Sequence, residues 1–166
     1  DDPRRLDHER VALRARAHGL EGTARRERGH RRHERREPGE LRKPWTPLLA
    51  NLRDQASREA EIDFNSVLAN LYRNGSDSGG WHADDEPELG PEPVIASLSL
   101  GATRRFRLRR KDGRHDPVTT DLEHGDLLVM RGPTQALWEH CLARTARPVG
   151  ERVTLTFRRI VDRQRR

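Results

Sequence analysis

In GGWHADDEPELG, residues 79–90, His82 and Asp84 stand two apart after a run of glycines, and His140 follows 56 residues later inside LWEHCL. Two imidazoles and one carboxylate are the donor set that holds non-haem Fe(II) by one face and leaves three positions open for reacting molecules. A second pair with the same spacing, His124 and Asp126 around Gly125, lies between Leu122 and Leu127, where Gly and Asp most simply make the turn into a strand. With 8 His and 27 acidic residues in the chain, one or two such pairs arise by chance. Spacing alone therefore leaves His82, Asp84 and His140 open between a metal triad and ordinary exposed polar residues.

A second constellation is basic. RVTLTFR puts Arg152, Thr154, Thr156 and Arg158 on one face of a strand and Val153, Leu155 and Phe157 on the other. The two arginines lie roughly 20 Å apart along an extended strand, yet both side chains are long enough to converge on a small dianion. The planar guanidinium fork suits a carboxylate. In NLY, Asn70 and Tyr72 likewise share a face and offer an amide and a hydroxyl. Taken alone, all of these fit an ordinary polar strand face.

The elements that must carry these residues are short. Thr46 can cap a helix that starts at Pro47, and Leu48, Leu49, Leu52, Ala56 and Ala60 form an apolar stripe at helical spacing over about 15 residues. Beyond it the period changes to two. Segments 64–73, 94–100, 105–110, 126–130, 137–142 and 152–161 read as strands bounded by Gly, Pro, Asp and Asn, with Lys111, Asp112 and Gly113 as a hairpin turn. Six or more strands behind one helix indicate a mainly β, antiparallel sandwich or jelly roll rather than a βαβ fold.

The basic excess is confined to one end. Residues 1–43 carry 14 Arg and Lys against 9 acids, while residues 44–166 carry 19 against 18. All seven aromatic residues lie beyond residue 43. The expected organisation is an Arg-rich arm over 1–43, disordered or atypical, followed by one domain over 44–166. The arm reads either as a solvated tail or as a tether to nucleic-acid phosphates. Cys141 is the single cysteine, which excludes an intrachain disulfide and suits a reducing cytoplasm. No apolar run is long enough for a membrane span, and no secretory signal is read at the first residues, which open on Asp rather than Met as a fragment would.

The order Asn-x-Tyr, His-x-Asp, His, Arg-x5-Arg carries more weight than any part of it. Through FNSVLANLYRNG, WH.DDEPELGP, IASLSLGATR.F, HGDLL.M.G.TQ..W.H and RVTLTFR.I, the chain resembles the AlkB-like Fe(II)/2-oxoglutarate-dependent dioxygenases, the repair demethylases of alkylated nucleic acids. The resemblance covers about residues 44–161 and implies a double-stranded β-helix with Fe(II) held by His82, Asp84 and His140. It implies that Arg152, with Tyr72, Asn70 and Thr154, holds the far carboxylate of 2-oxoglutarate, and that Arg158 lies nearer the carboxylate on the iron side. It further implies O2-dependent hydroxylation of an N-methyl group on a base such as 1-methyladenine or 3-methylcytosine in DNA or RNA, with release of succinate, CO2 and formaldehyde. A monomer is expected.

Those methylated bases are cationic, so Asp85 and Glu86 beside the metal could select them, or could be a solvated acidic loop. Arg105, Arg107 and Arg109 alternate with Phe106 and Leu108, which suits phosphate contact and equally a solvated strand face. Trp81 and Trp138 flank the expected ligands and either line the pocket or belong to the core. Met130 and Cys141 read as packing residues. Three features depart from the family: residues 1–43 lack the aromatic-rich recognition segment, Thr154 replaces a frequent asparagine, and Gly80 replaces an aliphatic residue. Two other functions fit the same residues. One is a 2-oxoglutarate dioxygenase acting on a protein or small molecule; the other is a poorly active fragment that binds nucleic acid through its arm.

Overall fold

The computed structural model describes residues 11–16 and 44–161. Helix α1 runs Pro47–Ala60, and its N-terminus is closed as expected, with the Thr46 hydroxyl accepting from the Leu49 amide at 3.3 Å. Leu52, Ala56 and Ala60 are buried and Leu49 is partly so. Leu48, assigned to the same stripe, is 59% exposed. It stands in the first turn, one position ahead of the row that reaches the sheet.

Nine strands form two antiparallel sheets among the described residues. The larger has the order β1 (Val11–Arg16), β7 (Asp126–Met130), β4 (Ile95–Gly101), β9 (Arg152–Arg158), β2 (Ser66–Tyr72). The smaller has the order β3 (Gly79–His82), β8 (Trp138–Leu142), β5 (Arg104–Arg110), β6 (Val118–Leu122). This is the mainly β jelly roll expected from the alternating segments. Strands β3 and β6 are additions to the sequence reading, being too short or too polar to signal themselves, and so is the one-turn helix α2 (Thr134–Leu137) before β8.

Strand β1 lies within the expected arm and pairs with β7, Ala15 opposite Leu127 and Arg16 opposite Asp126. These six residues of the expected disordered or atypical arm form a strand, whose pattern in VALRAR the surrounding charge obscured. The rest of 1–43 lies outside the described residues.

Two apolar cores hold the layers. Helix α1 packs Leu52, Ala56 and Ala60 on one face of the larger sheet, against Ala96, Leu98, Leu127, Val129, Leu155 and Phe157. Between the sheets, Ile95, Leu128 and Met130 meet Phe106, Leu108, Leu122 and Trp138. Each fully buried Leu, Ile or Phe contributes about 1.5–3 kcal/mol relative to exposure. Met130, Trp138 and Cys141 are all buried, as packing residues should be. His124 and Asp126 form the expected turn: Gly125 takes φ +82° and the Asp126 carboxylate accepts from the Glu123 amide at 2.7 Å.

Candidate metal centre

The ladder between β3 and β8 sets His82 directly opposite His140, so both imidazoles leave the sheet on the same face. Their ring centroids are 4.4 Å apart. Asp84 follows two residues after His82, just past the strand, and its carboxylate lies 3.8 Å from His140 Nε2. One donor atom from each of the three residues falls within 4.8 Å of the others.

Each ligand is braced. His82 Nδ1 lies 2.7 Å from the Gly80 carbonyl, which can only accept, so Nδ1 carries the proton and Nε2 keeps its lone pair. His140 is buried and stacks on Phe106 at 5.4 Å. Burial, reinforced by the neighbouring His82, lowers its pKa to about 3, which keeps it in the neutral form a metal requires. The Asp84 amide donates to Gln135 Oε1 at 2.9 Å. Burial raises the Asp84 carboxyl, while Arg158 and His82 act against that shift.

The second constellation assembles on the larger sheet. Register places Tyr72 opposite Arg152 and Asn70 opposite Thr154, so all four side chains share the face turned toward the smaller sheet. Arg152 is 1% exposed. Its guanidinium donates to Thr154 Oγ1 at 3.2 Å, the Leu122 carbonyl at 2.9 Å, Ser99 Oγ at 2.6 Å and the Ala102 carbonyl at 3.4 Å. These acceptors are neutral, and burial brings the guanidinium down to about 10, still charged at neutral pH. Burial also raises the Tyr72 phenol, so the hydroxyl remains a donor. Arg158, six residues along the same face, is buried with Nε unpaired and its Nη1 3.8 Å from Glu86.

A model of the 2OG-Fe(II) oxygenase superfamily matches residues 4–158. The chain belongs to that superfamily. Among similar proteins, alpha-ketoglutarate-dependent dioxygenase alkB homolog 3 of Bos taurus is 45% identical over 124 residues, 70% of this chain and 43% of its own. DNA oxidative demethylase ALKBH2 of Homo sapiens is 44% identical over 126 residues, 72% of this chain and 48% of its own. The chain thus spans less than half the length of these relatives. The solved structure of OsALKBH1 superposes with a TM-score of 0.52 over 70% of this chain and 67% of that one, at 24% identity, which shows the shared fold alone.

Membership in the 2OG-Fe(II) oxygenase superfamily implies iron and 2-oxoglutarate, and the residues fit both. Two neutral nitrogens and a carboxylate converge as donors, and a buried guanidinium whose hydrogen-bond acceptors are neutral oxygens suits an anion.

Other expected residues lie elsewhere. Trp81 alternates with His82 onto the outer face of the smaller sheet, where Arg107 and Arg109 lie 5.5 and 4.3 Å from its ring centroid. Arg105 is exposed on that face and pairs with Asp121 at 3.3 Å. Trp81 therefore does not line the metal pocket, because strand alternation turns it away from His140, while Arg105 and Arg107 lie on the outer face that their alternation with Phe106 and Leu108 gave. Asp85 and Glu86 follow Asp84 directly, paired with Lys111 at 3.2 Å and Arg158 at 3.8 Å.

Four neighbours of the site went unread in the sequence: Arg104, Gln135, Ser99 and Lys111. Arg104 and Ser99 had a signal, since Arg104 shares parity with Phe106 and Leu108 and Ser99 with Ile95, so both point inward; the other two approach through tertiary packing.

Proposed function

We propose that this chain is an oxidative demethylase of N-alkylated bases in DNA or RNA, using Fe(II), 2-oxoglutarate and O2. The observation that carries this is the His82, Asp84 and His140 convergence with two acids, Asp85 and Glu86, directly after Asp84. Relatives named as a DNA oxidative demethylase and an alkB homologue support the substrate class.

When bound, iron would let O2 accept four electrons, two from 2-oxoglutarate as it becomes succinate and CO2 with one oxygen atom, and two from the methyl C–H bond as it takes the other. His82, its Nδ1 proton held on the Gly80 carbonyl, would offer Nε2 to the metal, and neutral His140, across the ladder from His82, would offer a ring nitrogen. Gln135 holds the Asp84 backbone and so aims the third donor. Arg152, Tyr72, Asn70 and Thr154 receive the far carboxylate, and Arg158 the nearer one.

Asp85 and Glu86 attract a base made cationic by methylation and accept from its exocyclic amine. A base of that kind pairs poorly and leaves the stack at lower cost, so the acids choose among bases that the helix already releases. The hydroxylated methyl then leaves as formaldehyde, restoring the base.

No described helix is long and apolar enough to cross a membrane. We place the protein in a reducing cytoplasm, as a monomer, a reading supported by the buried free Cys141. The deciding experiment is mass spectrometry of a methylated oligonucleotide incubated with the protein, Fe(II) and 2-oxoglutarate in air. Loss of the methyl group that depends on 2-oxoglutarate supports the proposal. Succinate formation with an intact methyl group points to another substrate.

A further inference from the structure

Arg104 is 2% exposed, yet nothing in the proposed reaction uses it. It opens β5, and its guanidinium runs inward to the turn between β2 and β3. Nη1 donates to the Asn74 carbonyl at 3.0 Å, and Nη2 to the Asp77 and Ala143 carbonyls, each at 2.8 Å. The same guanidinium lies 5.9 Å from the Tyr72 ring centroid. We propose that Arg104 is a positioning residue: by clamping the Asn74–Asp77 turn against the end of β8, it sets Tyr72 for the far carboxylate of 2-oxoglutarate. The inference rests on the co-substrate assignment made above.

The turn joins the two halves of the site. Two residues before Asn74, Tyr72 ends β2; two residues after Asp77, Gly79 begins the strand that carries His82. An ideal Cβ on Gly79 would stand 3.6 Å from the Tyr72 hydroxyl, so the phenol tip already reaches the metal-bearing strand. The turn is also seated tightly. The Thr145 amide donates to the Gly75 carbonyl at 3.0 Å, and a side chain at Gly75 would collide with the Thr145 carbonyl oxygen.

The charge on Arg104 is the telling feature. Its hydrogen-bond acceptors are three backbone carbonyls, while the Asp77 carboxylate, which accepts from the Arg73 amide and guanidinium, attracts Arg104 without a hydrogen bond. A neutral amide could meet carbonyls at lower desolvation cost. With Arg152 paired opposite Tyr72, Arg104 makes a second buried cation beside the same ring. Arg152 favours a doubly charged acid arriving there, Asp77 offsets part of the charge of Arg104, and the planar fork of Arg104 holds three carbonyls where a single ammonium nitrogen cannot.

The test uses the full chain loaded anaerobically with Mn(II), and titrates 2-oxoglutarate by calorimetry for wild type, Arg104→Lys and Arg104→Gln. Both substitutions are expected to weaken 2-oxoglutarate by about tenfold or more, with Mn(II) affinity unchanged within about twofold. In turnover, the KM for 2-oxoglutarate rises while kcat moves by less than about threefold. Folded variants with lower melting temperatures but wild-type 2-oxoglutarate affinity would reduce Arg104 to a structural staple and overturn the proposal.

Should neither variant fold, amide exchange on the wild type decides. Protection of residues 73–79 on adding 2-oxoglutarate supports the coupling, since linkage is reciprocal, and an unchanged pattern overturns it. A wild type that binds Mn(II) but no 2-oxoglutarate removes the co-substrate assignment itself, an outcome distinct from failure at Arg104 alone.

Discussion

His82 and His140 face each other across the β3–β8 ladder with ring centroids 4.4 Å apart, although 57 residues separate them in the chain. The ladder does the positioning: two backbones at sheet spacing hold two imidazoles at a distance that a metal ion bridges. Asp84, released from the strand two residues later, closes the set from the loop.

Arg152→Lys separates charge from geometry in the co-substrate pocket. The lysine keeps the cation but loses the fork that Ser99, Thr154 and the Leu122 carbonyl hold in place. The expected result is a KM for 2-oxoglutarate raised by about a hundredfold, measured by succinate formation. An unchanged KM would remove Arg152 from the site.

His140 makes the stability of the metal-free protein depend on pH. Its folded pKa is about 3, below the 6.5 of the free imidazole. Above 6.5 neither state takes up a proton there; as pH falls from 6.5 toward 3, the unfolded chain gains one and the folded chain does not. Stability is therefore lost across that window. Urea unfolding in chelator at several pH values should show a fall that is shallower in His140→Gln, and identical slopes would contradict the burial argument.

Much of the site was legible in the sequence because strand alternation is a strict period. Arg152, Thr154 and Arg158 on one face, and Asn70 with Tyr72 on its neighbour, follow from parity alone, and the register sets Tyr72 opposite Arg152 and Asn70 opposite Thr154, with Arg158 farther along opposite Ser66. The same parity rule, applied to WHAD and RRFRLRR, turns Trp81, Arg105 and Arg107 away from His140. For Trp81, nearness in sequence to His82 had suggested the opposite; for Arg105 and Arg107 the outer face is the one their alternation with Phe106 and Leu108 gave. Lys111 and Gln135 were not legible because their partners, Asp85 and Asp84, come from a loop whose path no period encodes.

Asp85 and Glu86 are expected to read charge. Asp85→Ala and Glu86→Ala should each lower turnover of a cationic N1-methyladenine oligonucleotide by about tenfold, and change an uncharged methylated base much less. Equal losses on both substrates would mean that the acids shape the loop without contacting the base.

Outside the pocket, Arg107 and Arg109 both lie over Trp81, and Arg105 and Arg109 are also paired with Asp121 and Glu139. Arg107→Ala should lower the salt dependence of DNA binding by about one unit of slope, equally for methylated and unmethylated strands. A loss confined to methylated strands would bring this face into base recognition.

Iron occupancy tests the centre most directly. After anaerobic reconstitution and removal of free metal, the wild type should retain about one Fe(II) per chain, and His82→Ala or His140→Ala should lower the affinity by more than about a hundredfold. Wild-type protein that retains no iron, or alanine variants that retain as much as the wild type, would contradict the account.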